Sequence, residues 1–210
     1  MQLAPSLHRF GSSLVNGYLV EEAGLVTIID AGLPGNYGDL QTELAAMGRS
    51  LDDVRAVVLT HGDTDHVGFA ERIRRERGIP IFVHELDADR ARGLVKKPSS
   101  GWGPIKLRPL AGFLVYTASK GGLRIPPITE VATFTDGTTL DVPGSPRVIH
   151  LPGHTPGSVA LHVPAADAVF ISSRQSSATL RITCPSRRMI PASAKTVISK
   201  MRCSDAICCW

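Results

Sequence analysis

The chain has 210 residues, enough for one substantial hydrophobic core without a disulfide or metal staple. Hydrophobic residues make up 43% and charged residues 20%, which excludes a low-complexity chain or one kept unfolded by its charge. No apolar run approaches the ~20 residues of a membrane-spanning helix, and Met1 to Leu7 has no basic region followed by an apolar stretch, so a cytoplasmic protein is expected.

The net charge of +4 is unevenly spread. Residues 172–210 hold seven basic side chains (Arg174, Arg181, Arg187, Arg188, Lys195, Lys200, Arg202) against Asp205, which leaves the first 171 residues mildly acidic. The same stretch holds all four cysteines (Cys184, Cys203, Cys208, Cys209) and none of the 20 glycines. The cysteines lack paired CxxC spacing, so they read as free thiols in a reducing compartment and not as a zinc site. The sequence therefore divides into 1–171 and an atypical basic tail, 172–210.

In chain order, Asn16 to Val20 and Leu25 to Ile29 read as two strands joined by a turn at Glu21 to Gly24. Asp30-Ala31-Gly32-Leu33-Pro34-Gly35 then forces a sharp change of direction. The Asp30 carboxylate either supports a neighbouring loop or accepts backbone N–H groups of its own turn. Tyr37 to Met47 has helical apolar spacing and stops at Gly48, and Ser50 can cap a short turn.

Ala56 to Leu59 is a short buried strand, and Thr60-His61-Gly62-Asp63-Thr64-Asp65-His66 follows it directly. Two imidazoles and two carboxylates within six residues, separated by small residues, can turn toward one point at the strand's C-terminal edge. Such donors suit a borderline cation such as zinc. The competing structural account is a solvated turn, or a cap for the helix expected over Val67 to Arg77. The charged residues Glu71, Arg72, Arg74, Arg75, Glu76 and Arg77 read as that helix's solvated face and not as a nucleic-acid site.

Ile79 to Val83 is the next strand, and the strand, helix, strand order implies a parallel crossover. His84 at its end is a further candidate for the pocket, although packing is the commoner role; Glu85 to Arg92 reads as helical. Residues 93–128, with Trp102, Phe113, Tyr116, Lys96, Lys97, Lys106 and Arg108, form an insert of the kind that makes a lid or substrate loop. Strands are expected at Val131 to Phe134, Thr139 to Val142 and Arg147 to Leu151, with a turn at Asp136-Gly137. In Pro152-Gly153-His154-Thr155-Pro156-Gly157-Ser158, two prolines and two glycines restrain the backbone around one histidine, as fits a side chain that must point one way. Strands at Val159 to Val163 and Ala168 to Ile171 follow; His150 and His162 lie inside strands and read as packing residues.

The block His61 to His66 together with Gly153 to Ser158, preceded by the Asp30 turn, resembles the metallo-β-lactamase-fold hydrolase superfamily, over about residues 10–171. The resemblance implies an α/β fold, an αββα sandwich of two β-sheets flanked by helices, with an incomplete second half. It implies a one- or two-metal site, usually zinc with iron or manganese also compatible, and hydrolysis by a metal-bound hydroxide. His61 and His154 would serve a first ion, Asp65 and His66 a second, and Asp65 would also handle the proton. Asp63 stands where the family commonly has histidine, and a carboxylate can ligate there. After Ala168 to Ile171 the family usually has Gly-Asp; here Ser172-Ser173 follow, and no histidine occurs beyond His162. The tail therefore reads as a replaced or frame-shifted ending whose loss of a closing strand exposes a sheet edge.

The function expected is metal-dependent hydrolysis of a small ester, lactone, amide or phosphoester. The alternatives are a catalytically impaired metal-binding remnant whose basic tail contacts acidic partners, and an iron-dependent redox enzyme. A small-molecule substrate is the expected partner, with neither membrane nor nucleic acid.

Overall fold

The computed structural model describes residues 1–95 and 107–171, and the backbone alone at 107–111 and 195–198. Two sheets face each other. The larger has seven strands in sequential order: β1 (Gln2–Ala4), β2 (Leu7–Gly11), β3 (Asn16–Glu22), β4 (Leu25–Ile29), β5 (Val54–Val58), β6 (Ile81–His84) and β7 (Ala132–Phe134). The first four pair antiparallel, and β4 to β7 pair parallel. The smaller sheet is built from β8 (Arg147–His150), β9 (Val159–Val163) and β10 (Ala168–Ile171), antiparallel, with β11 (Lys195–Ile198) parallel to β10.

Side-chain alternation sorts the central strands into two cores. Leu19, Ile28, Val57 and Val83 point toward helices, where they pack on Leu40 and Leu44 of α1 (Asn36–Ala46) and Ile73 of α3 (Ala70–Arg77). Tyr18, Val20, Ile29 and Val58 point the other way, against Val148, Leu161, Val163 and Phe170 of the smaller sheet. Burial on both faces explains why β4 and β5 read as unbroken apolar runs. Helix, sheet and sheet form three layers of the expected αββα sandwich. Of residues 172–210, only the backbone of 195–198 is described.

Several boundaries differ from the sequence reading. The β3–β4 hairpin closes on two residues, Ala23 and Gly24, with φ of 51° and 82°, because two left-handed residues match the strand twist. The helix expected over 67–77 is two helices, α2 (Thr64–Val67) and α3, broken at Gly68-Phe69. There the Gly68 N–H donates to the Gly32 carbonyl at 2.7 Å, and a Cβ on Gly68 would come within 2.3 Å of that oxygen. Close backbone approach therefore sets the break. Ser50 caps the turn Leu51–Asp53 through a capping box. Thr139 to Val142 is no strand; one bridge joins Thr139 to Arg147, while Leu140 is buried between the sheets.

The segment Glu85 to Arg92 is a helical turn at Glu85–Asp87 followed by α4 (Ala88–Ala91). In the insert, α5 (Leu107–Ser119) ends against the start of α1: the Asn36 side-chain amide donates to the Tyr116 hydroxyl at 3.1 Å, and Lys120 pairs with Asp39 at 2.8 Å. Residues 96–106, with Lys96, Lys97, Trp102 and Lys106, the side chain of Arg108 and the four cysteines lie outside the described residues, as do the lid, free-thiol and exposed-edge expectations that rest on them. No helix among the described residues is long and apolar enough to cross a membrane.

Glu71 corrects the solvated-face reading of α3. It is buried, with 5% of its surface exposed, and accepts hydrogen bonds from Arg74, the Thr129 N–H and the Thr129 hydroxyl. The Arg74 guanidinium, against an opposing contribution from burial, lowers its pKa from 4.5 to about 2. Folding lowers this pKa, so the stabilisation is complete above about pH 5 and fades as pH falls from about 4.5 toward 2. Glu71→Gln should lower the melting temperature at pH 7 by about 2–6 °C, as for losing ~1–2 kcal/mol of charge-assisted hydrogen bonding in a chain of this size. The difference between the two proteins should shrink steadily as pH falls from about 4.5 toward 2; a constant difference across that range would refute the assignment.

Candidate metal centre

The five proposed ligands lie in the loop and helical turn that follow β5 or in the loop between β8 and β9. His61 is fully buried. Its Nε2 lies 3.6 Å from Asp63 Oδ2, and His154 Nε2 lies 3.1 Å from the same oxygen. One donor atom from each of these three residues fits within a 4.8 Å cluster, the group of this kind found among the described residues. Two loops almost a hundred positions apart thus supply two imidazoles and a carboxylate to one point.

Asp63 decides between a cap and a ligand. It occupies the N-cap position of α2 but makes no side-chain cap bond. Its Oδ1 accepts from Arg90 at 2.8 Å, and its Oδ2 faces the two histidines. Burial alone would raise its pKa; the hydrogen bond from His154 and the Arg90 charge outweigh it and keep the carboxyl ionised. For His61, burial and then the charge of His66 hold the imidazole well below its ordinary pKa, leaving it neutral as a ligand must be.

Asp65 and His66 form a second, adjoining pair. His66 Nε2 lies 3.5 Å from Asp65 Oδ2, and His66 Nδ1 lies 2.9 Å from Asp30 Oδ2. Burial opposes the charge on His66, but the Asp30 and Asp65 carboxylates together raise its pKa well above 6.5. Asp65 is likewise pulled down by His66 against the effect of burial. The His61 and His66 rings sit 4.1 Å apart between centroids. The structure brings these two residues beside the three-donor cluster without adding them to it.

Two buried carboxylates outside the candidate ligand set, Asp30 and Asp87, hold the arrangement. Asp30, at a left-handed φ of 62°, turns its side chain back beneath the ligand loop. It accepts from the Thr60 N–H at 2.9 Å and the Thr60 hydroxyl at 2.9–3.0 Å, which settles its role as support for the neighbouring loop. Thr60 Oγ1 also lies 3.2 Å from His61 Nδ1. A hydroxyl has one proton; donated to an Asp30 oxygen, it leaves a lone pair for His61 Nδ1–H. The tautomer so fixed turns the His61 Nε2 lone pair toward Asp63 and His154.

Asp87 is fully buried and joins the two loops directly. Oδ2 accepts from the Gly62 N–H at 2.9 Å and from the Thr155 hydroxyl, and Oδ1 accepts from the Gly157 N–H at 2.8 Å. A Cβ on Gly157 would meet the Asp87 backbone at 2.7 Å, so glycine is needed there. Nothing in the local pattern Glu85-Leu86-Asp87 marks this carboxylate out, because its partners come from 62, 155 and 157. Two other histidines pack beside the loops and not into the cluster. His84 stacks on His150 at 4.4 Å and accepts from the Leu86 N–H, and His150 Nε2 contacts the Pro156 carbonyl at 2.8 Å. His84 therefore does not join the donor cluster, and His162 is half-buried on β9.

Residues 11–171 match the Metallo-beta-lactamase superfamily as a sequence family. The chain belongs to this superfamily. Among curated relatives of this metallo-β-lactamase-fold protein, the uncharacterized protein Rv2581c of Mycobacterium tuberculosis is 33% identical over 59% of this chain and 51% of its own length. The "Probable metallo-hydrolase YflN" of Bacillus subtilis is 25% identical over 86% of this chain and 70% of its own. The chain thus spans about half the length of the curated relatives first matched. A metallo-beta-lactamase from Cronobacter sakazakii shares the fold, with a TM-score of 0.64 at 19% identity over 87% of this chain and 65% of that one. A metallo-beta-lactamase family protein from Thermus thermophilus gives 0.58 at 27% identity, covering 81% and 60%.

The Thr60 contacts make a specific expectation. Thr60→Val removes the acceptor for His61 Nδ1 without changing the side chain's volume and should weaken divalent-cation binding about 10–100-fold. Thr60→Ser, which keeps the hydroxyl, should restore it in a competition titration with a chelating dye. Equal weakening by Val and Ser would show that the methyl packing, not the hydroxyl, matters.

Proposed function

We propose that this superfamily member is a metal-dependent hydrolase of a small ester, lactone, amide or phosphoester, acting in the cytoplasm, with zinc as its ion. The observation that carries this is the convergence of His61, Asp63 and His154 donor atoms from two separate loops. Two imidazoles and one carboxylate with a position left open is a donor set used by catalytic zinc, and iron or manganese also accept it. A bound divalent cation would polarise the scissile oxygen and lower the pKa of a water from ~15.7 toward ~7.

In this reading His61 and His154 bind through Nε2 and Asp63 through Oδ2. Asp65 lies beside this group, ionised because His66 outweighs the cost of burying its charge. An ionised carboxylate there can accept the proton of the attacking water and pass it to the leaving group. His66, braced by Asp30, keeps Asp65 charged and in place. Thr60 and Asp87 touch no substrate; they position the ligands.

Elemental analysis of the full chain after zinc loading should give about one ion per chain, with His61→Ala and His154→Ala each abolishing it. Asp65→Asn should retain that ion and lose about 10²–10⁴-fold in turnover of activated esters, lactones or phosphoesters, the range for a lost general base. A zinc content unaffected by His154→Ala would refute the site. Full loading with no turnover on any of these classes would favour the catalytically impaired remnant.

A further inference from the structure

The pairing of Arg90 with Asp63 has no part in the chemistry above, and it coincides with the one position in the ligand block where this chain carries aspartate in place of the superfamily's usual histidine. We infer that Arg90 is a positioning and metal-selecting residue: it holds Asp63 so that one carboxylate oxygen faces the ion, and it offsets the charge that the aspartate brings. The inference rests on the metal-site reading above.

Arg90 Nη1 donates to Asp63 Oδ1 at 2.8 Å, and only 12% and 15% of the two side chains are exposed. A partly buried charge-assisted hydrogen bond of this length fixes a carboxylate's rotation, whereas an exposed one contributes little. With Oδ1 held by Arg90, Oδ2 is directed at His61 and His154. Asp63 can then give the ion one oxygen instead of two.

The approach of Arg90 is built into the backbone. α4 packs directly over Gly62, where a Cβ would come within 2.8 Å of the Ala91 nitrogen and 3.1 Å of the Arg90 Cβ. Glycine at 62 thus admits the helix that delivers the guanidinium to the adjacent residue. Asp87, at the N-cap of the same helix, fixes it to Gly62 through the bond at 2.9 Å.

Charge gives the consequence. Two neutral imidazoles with Asp63 and Arg90 carry no net charge, as three imidazoles would. Without the guanidinium the donor set becomes anionic and its carboxylate is free to chelate through both oxygens. That environment suits harder, oxygen-preferring cations such as Mn²⁺. Arg90 therefore keeps an oxygen-containing site selective for zinc.

The test is competitive titration of the full chain, stripped of metal, with Zn²⁺ or Mn²⁺ against a chelating dye. Arg90→Met should raise the Mn²⁺-to-Zn²⁺ affinity ratio at least tenfold, a ratio from which general loosening of the fold cancels. In an Asp63→His background the guanidinium has lost its Asp63 partner and faces three imidazoles and a dication. Asp63→His/Arg90→Met should therefore bind Zn²⁺ at least fivefold more tightly than Asp63→His alone. A ratio within twofold of the parent in Arg90→Met would overturn the inference, as would a double variant no tighter than Asp63→His. If Arg90→Met does not fold, Arg90→Gln takes its place in both comparisons. Failure of the parent chain itself to bind Zn²⁺ through His61 and His154 would instead refute the underlying metal reading.

Discussion

The candidate centre depends on the buried Asp30 carboxylate. It reaches from the end of β4 to the loop that leaves β5, holds the Thr60 N–H and hydroxyl, and braces His66. Through Thr60 it also fixes which nitrogen of His61 is presented. A carboxylate with 5% exposure would be costly without such partners; with them, it gives two neighbouring imidazoles a defined orientation. The left-handed conformation at φ 62° is the accompanying strain, tolerated because the parallel pairing of β4 and β5 fixes both ends of the contact.

A second carboxylate closes the arrangement across the sandwich. The His61 loop belongs to the larger sheet and the His154 loop to the smaller, so the relation between them would depend on side-chain packing alone. Asp87 replaces that soft coupling with hydrogen bonds to both loops, and the Val159 N–H adds one to the Thr60 carbonyl at 2.9 Å. Directional bonds in a dry interior hold donor atoms to tolerances that apolar contacts cannot. Precision at the edge of the sandwich therefore comes from polar groups, while the two cores supply cohesion.

The electrostatics of the centre are balanced by pairs. Asp63 is matched with Arg90 and His154, and Asp65 and Asp30 are matched through His66. Such partners keep Asp63 and Asp65 ionised where burial disfavours charge. They also divide the five sequence-proposed residues into a three-donor cluster and an adjoining acid–base pair.

Much of this was legible in the sequence because it is written in local pattern. Runs such as Val57-Val58-Leu59 mark strands buried on both faces, and the spacing within His61 to His66 and Gly153 to Ser158 marks loops that present side chains. The break at Gly68 was not legible, since its cause is the backbone of Gly32 lying against it. Nor was burial of Glu71, which depends on Thr129 arriving from far along the chain. Sequence alone determined the strand and loop framework and the candidate donor residues, because periodicity and donor chemistry are properties of short segments. Only the tertiary structure decided that Asp63 faces His154 and pairs with Arg90, and that Asp30 and Asp87 hold the loops. Those relations arise when distant segments are packed together, and hydrogen-bond partners are chosen by position in space.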